Sequence, residues 1–203
     1  MSIDEVMRAA PVIPVLVLDG SLDPIELAET LVEAGLPVIE VTLRTPSALA
    51  AMKAMSSVEG ATVGAGTVLN ERMLDEAVGA GARFIVSPGL TDQLGKAAIA
   101  SGVPFLPGVA TAGDVMRGLD LGLNRFKFFP AEASGGLPAL EALAAAFGEV
   151  RFCPTGGIRE ETAPEWLANP AVLCVGGSWV VKPGESGLDV IATRARAAAA
   201  LRA

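Results

Sequence analysis

Apolar residues in this chain fall into short unbroken runs, separated by longer stretches in which apolar and polar positions recur at helical spacing. The runs begin near Val12, Val38, Thr62, Phe84, Phe105, Arg125, Arg151 and Val172, so successive starts lie 20 to 26 residues apart. Segments such as 12–18, 84–86 and 172–175 are apolar on both faces, as strands are in a parallel sheet buried on either side. The Ala-, Leu- and Glu-rich stretches between them predict helices over 24–34, 46–56, 70–80, 91–101, 111–121, 137–146, 162–168 and 188–201. Asp23-Pro24, Thr45-Pro46, Asn70, Thr91 and Thr111 are N-cap residue types placed directly before helical segments. Gly35, Gly81, Gly102 and Gly122 stand where helices end and a left-handed residue is needed. Strand then helix, eight times over, predicts an α/β fold: a closed (β/α)8 TIM barrel with short loops. A short helix over 3–9 is expected to cover its bottom. No linker or low-complexity tract interrupts the pattern, so the expectation is a single barrel domain over residues 1–203.

Composition narrows the partners. The chain has 203 residues, 51% hydrophobic and 19% charged, and a net charge of −8. That length carries a sizeable core and argues against a disordered or disulfide-stapled protein. A pI near 4.6 without a basic run disfavours nucleic acid, which is held by clustered Lys and Arg. Mean hydropathy is +0.51, yet the apolar residues are scattered and no stretch reads as a membrane span. Asp4 and Glu5 occupy the place of a positive n-region, so no secretory signal is expected. Cys153 and Cys174 make no framework or metal pattern, which suits a reducing cytoplasm.

The missing residue types matter as much. With no histidine and no tyrosine, the commonest general base, the commonest metal ligand and a phenolic acid are all lacking. Chemistry must rest on carboxylates, lysine, cysteine, hydroxyls or the substrate's own groups. In such a barrel it sits at the C-terminal ends of the strands, and two residues there break the local rule. Lys127 lies inside Arg125-Phe-Lys-Phe-Phe-Pro130, whereas Lys53, Lys96 and Lys182 lie in helices or turns. Alternation sends Phe126 and Phe128 to the helix layer, so Lys127 points into the barrel with Arg125 and Phe129. The structural alternative is a lysine snorkelling from a strand end or paired with a carboxylate. Glu40, in Val38-Ile-Glu-Val-Thr-Leu-Arg44, is the one acid set in an otherwise apolar strand. It shares a face with Thr42 and Arg44 if the strand stays extended, and a structural ion pair is its alternative.

Three glycine turns close strands: Gly64-Ala-Gly-Thr67, Thr155-Gly-Gly-Ile158 and Val175-Gly-Gly-Ser178. Leu69 stands where a dinucleotide fingerprint needs its third glycine. Gly-Gly bends after strands seven and eight match the usual phosphate site of these barrels, although turn geometry alone also uses the pair. Pro88-Gly89 and Pro107-Gly108 read as turns shaping the mouth. Cys153 has no histidine to activate it, and Cys174, Trp166 and Trp179 read as packing. No metal site is indicated. An embedded amine, an acid and a phosphate cradle together suit imine chemistry, in which a neutral lysine attacks a ketone. The pocket must then bring the amine below its ordinary pKa of about 10.4, with Arg44 or Arg125 supplying a positive field. Glu40 moves the protons, and Arg44 suits a carboxylate held in two hydrogen bonds.

The strings Glu-Val-Thr-Leu-Arg-Thr (40–45), Val-Gly-Ala-Gly-Thr-Val-Leu-Asn (63–70), Ser-Pro-Gly-Leu-Thr (87–91), Phe-Lys-Phe-Phe-Pro-Ala-Glu (126–132), Arg-Phe-Cys-Pro-Thr-Gly-Gly-Ile (151–158) and Val-Gly-Gly-Ser-Trp (175–179) resemble the 2-keto-3-deoxy-6-phosphogluconate (KDPG) aldolase family, bifunctional with 4-hydroxy-2-oxoglutarate aldolase. The resemblance spans nearly the whole chain with the motifs in order. It implies a class I lyase of the Entner–Doudoroff pathway that forms a Schiff base and needs no metal or other cofactor. Its substrate would be the phosphorylated keto acid, its products pyruvate and glyceraldehyde 3-phosphate, and its assembly a cytoplasmic homotrimer. By position in the matched motifs, Lys127 is similar to the Schiff-base lysine and Glu40 to the general acid/base. Arg44 and Thr67 resemble the ligands of the pyruvyl carboxylate, with Thr155 lining that pocket and Pro88 and Phe129 shaping it. Gly156, Gly157, Gly177 and Ser178 resemble the phosphate site. Ala110 departs from the pattern, standing where relatives carry a hydroxyl. Rival readings are a sister aldolase acting on 4-hydroxy-2-oxoglutarate or a phosphogalactonate analogue, a phosphate-binding isomerase or epimerase, and a non-enzymatic phosphometabolite-binding barrel.

Overall fold

Ile3–Arg8 forms the first helix, α1, capped by Ser2 and Glu5 in a reciprocal capping box. Its Val6 and Met7 are wholly buried, and its Asp4 is ion-paired to Arg125 at the foot of a distant strand. The computed structural model describes residues 1–201; residues 202 and 203 of the domain expected over 1–203 lie outside the described residues.

Strands and helices then alternate: β1 (Val12–Leu16), α2 (Pro24–Glu33), β2 (Val38–Thr42), α3 (Ala48–Met55), β3 (Thr62–Gly66), α4 (Glu71–Gly79), β4 (Ile85–Val86), α5 (Asp92–Ser101) and β5 (Phe105–Leu106). They continue through β6 (Gly108–Val109), α6 (Ala112–Asp120), β7 (Arg125–Phe128), α7 (Gly136–Ala146), β8 (Arg151–Pro154), α8 (Ala163–Leu167), β9 (Val175–Gly177) and α9 (Leu188–Ala199). Every strand pair is parallel. Asp23, Asn70, Thr91 and Thr111 each accept a backbone N–H at a helix start, as expected of them, and each cap contributes about 1 kcal/mol. Thr45 does not: α3 begins later, behind Ser47, and the Thr45 hydroxyl instead donates to Leu18 O at 2.6 Å.

The expected single ring of eight strands is resolved differently in detail. The described residues form a six-stranded curled sheet, β5-β4-β3-β2-β1-β9, and a three-stranded one, β6-β7-β8. One break falls at Pro107, which has no N–H to give a ladder, although its carbonyl still accepts from Lys127 N at 2.9 Å. The turn expected at Pro107-Gly108 is therefore not formed, because Gly108 and Val109 resume the strand beside Lys127 and Phe128. The other break lies between β8 and β9. There the run beginning at Val172 makes isolated parallel bridges, Phe152 to Val172 and Thr155 to Gly176, before the ladder with β1 starts at Val175.

Alternation along the strands separates two cores. Ile39, Val41, Val63, Ala65, Phe126, Phe128 and Phe152 face the helices in the larger one. Val6, Met7, Ile13, Val38, Phe84, Val86, Leu106 and Cys153 make a smaller core between the strands and α1. This second core is a floor. One level nearer the C-terminal strand ends, inward positions turn polar.

Candidate active site

Lys127 is the third residue of β7, paired with Gly108 on one side and Cys153 on the other. Its flanking Phe126 and Phe128 are wholly buried toward the helices, and Phe128 packs on Phe152 and Trp166 with ring centroids 6.5 and 6.4 Å away. That anchoring leaves Lys127 no choice but the interior, where it is 5% exposed. Its Nζ lies 3.0 Å from Glu40 Oε1 and 3.4 Å from Oε2, and 5.3 Å from the centroid of the Phe129 ring. Glu40, 3% exposed, reaches it from the middle of β2. The two residues that break the sequence pattern are thus partners: Lys127 does not snorkel outward, and the pair is the buried ion pair that the alternatives for both residues allowed.

Glu40 can cross the interior because its neighbour in β3 is small. A Cβ on Gly66 would stand 2.2 Å from Glu40 Oε1, closer than any side chain allows. Above the pair opens a cavity of about 110 Å³ lined by Arg44, Lys127, Phe129, Thr155, Gly156, Gly157 and Ser178, together with Val15, Ile158 and Gly176. Arg44, just past the end of β2, donates through Nε to Thr67 Oγ1 at 3.0 Å. Thr67 closes β3 with φ of +60°, an uncommon conformation for a threonine that places its hydroxyl against the guanidinium. Thr42, on the Glu40 face, is tied down by donating to Leu16 O at 2.7 Å. Gly156 and Gly157 have φ of +103° and +84°, so their bend needs glycine for backbone reasons alone. It is held by Ala131 and Glu132, whose N–H groups donate to Thr155 O and Gly156 O at 2.8 and 3.1 Å.

Most of the expected site is therefore gathered in one place, with three exceptions of position. Thr67 reaches the site through Arg44, Gly177 lies one residue outside the lining beneath Trp179, and Pro88 stands in the turn after β4, away from the cavity lining. Gly176-Gly177 is not the turn expected there, because both residues continue β9 in its ladder with β1. Arg125, offered as a source of positive field, is at the opposite end of β7. It is ion-paired to Asp4 of α1, so the nearby guanidinium is that of Arg44. Gly66, Val15 and Ile158 are not among the expected site residues, and Gly176 enters the expectation only through its Gly-Gly pair. Gly66 sat inside a quoted motif, but only the register of Thr42 with Gly66 across β2 and β3 reveals why it must be small. Among the described residues no group of three or more His, Cys, Asp or Glu could hold a metal ion.

An amine and a carboxylate in hydrogen-bond contact, screened from water and topped by a guanidinium and hydroxyls, can form and break an imine with a keto acid. Such a carboxylate can take and return protons, and such a guanidinium can receive an acid group. Fold and site together define an enzyme of that class, a carbon–carbon lyase working through a lysine. The family model described as "KDPG and KHG aldolase" matches residues 3–192, and the chain belongs to that family. The 2-dehydro-3-deoxy-phosphogluconate aldolase of Zymomonas mobilis is 60% identical over 200 residues, covering 98% of this chain and 96% of the relative. A crystal structure of the Zymomonas mobilis enzyme with 3-phosphoglycerate superposes with a TM-score of 0.96 at 60% identity, covering 98% and 96% of the two chains. The KDPG aldolase of Legionella pneumophila, with pyruvate captured as a covalent carbinolamine, is 43% identical with a TM-score of 0.94, covering 98% of each chain.

Proposed function

We propose that this protein is a class I aldolase that reversibly cleaves 2-dehydro-3-deoxy-6-phosphogluconate to pyruvate and glyceraldehyde 3-phosphate, the Entner–Doudoroff reaction. The observation that carries the reading is the buried 3.0 Å contact between Lys127 Nζ and Glu40. Lys127 attacks the C2 ketone as Glu40 takes the ammonium proton. A second proton passes from the new C–N nitrogen to the alkoxide to make the carbinolamine hydroxyl; Glu40 then gives its proton to that hydroxyl, water leaves and an iminium forms. Glu40 next takes the C4 hydroxyl proton, the C3–C4 bond breaks and its electron pair flows into the iminium. The aldehyde leaves, the enamine is protonated at C3, and hydrolysis frees pyruvate and the amine.

Arg44, with Thr67 orienting it, holds the carboxylate, Thr155 lines the same pocket, and Phe129 covers the pyruvyl carbons. Gly156, Gly157, Gly177 and Ser178 hold the phosphate through backbone N–H groups, the Gly156–Gly157 bend from one side and the end of β9 from the other. Pro88 shapes the mouth from its turn after β4. The cycle asks for no metal and no other cofactor. The two sheets make one closed (β/α)8 barrel, a reading supported by the parallel bridges between β8 and β9 and by the strand that resumes after Pro107. That barrel is read as a single domain, working as a homotrimer in the cytoplasm; no described helix is long and apolar enough to cross a membrane.

The test is borohydride reduction in the presence of pyruvate, followed by peptide mass spectrometry. Adduct mass is expected on Lys127 and nowhere in Lys127→Met; mass on Lys53, Lys96 or Lys182, or none in active enzyme, overturns the assignment. A second activity, cleavage of 4-hydroxy-2-oxoglutarate, is favoured by the double name of the matched family, and it uses the same amine and acid without the phosphate site. Comparing kcat/KM on the two substrates ranks the activities.

A further inference from the structure

The Gly156–Gly157 bend borders more than the catalytic cavity. Gly157 also lines a larger hollow of about 580 Å³ on its outer side, with Glu132, Arg159, Glu165 and Trp166. Arg159 lines this hollow and a third of about 210 Å³, beside Glu160, Glu161, Trp179 and Lys182. Two carboxylates, Glu132 and Glu165, therefore line the hollow behind the bend, while Glu160 and Glu161 line the third hollow with Lys182 and Arg194, in a chain whose net charge is −8. A phosphate dianion held by backbone N–H groups would meet an unfavourable field there unless a cation offset it.

Arg159 is built for that part. Two residues beyond Gly157, its backbone is pinned: its N–H donates to Thr162 Oγ1 at 3.0 Å, and its carbonyl accepts from Thr162 N and Ala163 N at 3.1 and 2.9 Å. Its side chain is exposed, and among the described residues no carboxylate pairs with it within 4.0 Å, whereas Arg194 nearby is taken by Glu185. A pinned backbone beneath an unpaired guanidinium sets a planar, two-pronged phosphate ligand in the hollow that the bend borders. Nothing in the sequence pattern marked this residue, because the Gly-Gly motif ends before it.

We infer that Arg159 closes over the substrate's phosphate from outside the Gly156–Gly157 bend and sets this protein's preference for a phosphorylated over an unphosphorylated keto acid. The inference rests on the aldolase reading above. The experiment compares kcat/KM on 2-dehydro-3-deoxy-6-phosphogluconate with that on 2-dehydro-3-deoxygluconate, for the unmodified enzyme, Arg159→Ala, Arg159→Lys and the remote control Arg83→Ala. In Arg159→Ala the ratio is expected to fall about tenfold, through KM for the phosphorylated substrate, and Arg159→Lys recovers part of it. Competitive inhibition by inorganic phosphate weakens in parallel. An unchanged ratio, an equal loss on both substrates, a fall matched by Arg83→Ala, or an unmodified enzyme indifferent to the phosphate each overturns the inference. Borohydride trapping of pyruvate on Lys127 in Arg159→Ala keeps the two claims apart: an adduct with an unchanged ratio sinks Arg159 alone, whereas no adduct in any variant sinks the aldolase reading itself.

Discussion

At the scale of single residues, the Lys127–Glu40 pair is expensive to keep buried and more expensive to halve. Removing one partner from a buried ion pair leaves an uncompensated charge and costs about 3–5 kcal/mol, while replacing both with apolar groups is often neutral. Lys127→Met is therefore expected to lose at least about a thousandfold in turnover and also to unfold at markedly lower urea. Lys127→Met/Glu40→Leu should remain as inactive but recover most of the urea midpoint. A double variant as unstable as the single would mean that Glu40 finds another partner. The pair was legible in the sequence because each member interrupts an apolar strand. Arg125 misled for the same reason: alternation puts it on the Lys127 face, but two residues along a strand also carry it from the cavity to the floor, where Asp4 takes it. Periodicity records which face a side chain occupies and is silent about its height.

At the scale of elements, the spacing of apolar runs located the strands and most helix starts to within a few residues. The misses share a cause. Pro107 interrupts a strand that resumes only because β7 offers partners to Gly108 and Val109, and Val172 opens an apolar run whose ladder with β1 begins later, at Val175. Each depends on a neighbour distant in the chain, which local pattern does not encode. The same dependence makes β3 matter to a residue of β2. Gly66→Ala would put a methyl 2.2 Å from Glu40 Oε1 and 2.7 Å from its Cγ, forcing the carboxylate off Lys127. The expected result is a kcat about a hundredfold lower for a stability loss of only ~1–3 kcal/mol, read from steady-state kinetics and urea melts. A fall in both as large as that of a core truncation would contradict it.

At the scale of the whole molecule, α1 is fastened to the strands by Val6, Met7 and the Asp4–Arg125 ion pair. Hydrogen bonds from Arg8 and then Arg125 hold the Asp4 carboxyl below the usual carboxylate range, with partial burial opposing them. A carboxyl whose native pKa is depressed stabilises the fold fully above its unfolded value, about 3.9, and loses that contribution as pH falls through the native value. Asp4→Asn is thus expected to lower the urea midpoint at pH 6 by an amount worth less than ~1 kcal/mol, since solvent screens a partly exposed pair. The gap to the unmodified protein should close on acidification below about pH 4. A gap that widened with acid would reverse the assignment. The floor that α1 completes also governs traffic. With one end plugged by Val6, Met7 and Phe84, the chamber is a blind alley. On the proposed chemistry, whatever is tethered to the amine waits at its far end, the aldehyde has to back out before pyruvate can follow, and in the synthetic direction the keto acid must go in first.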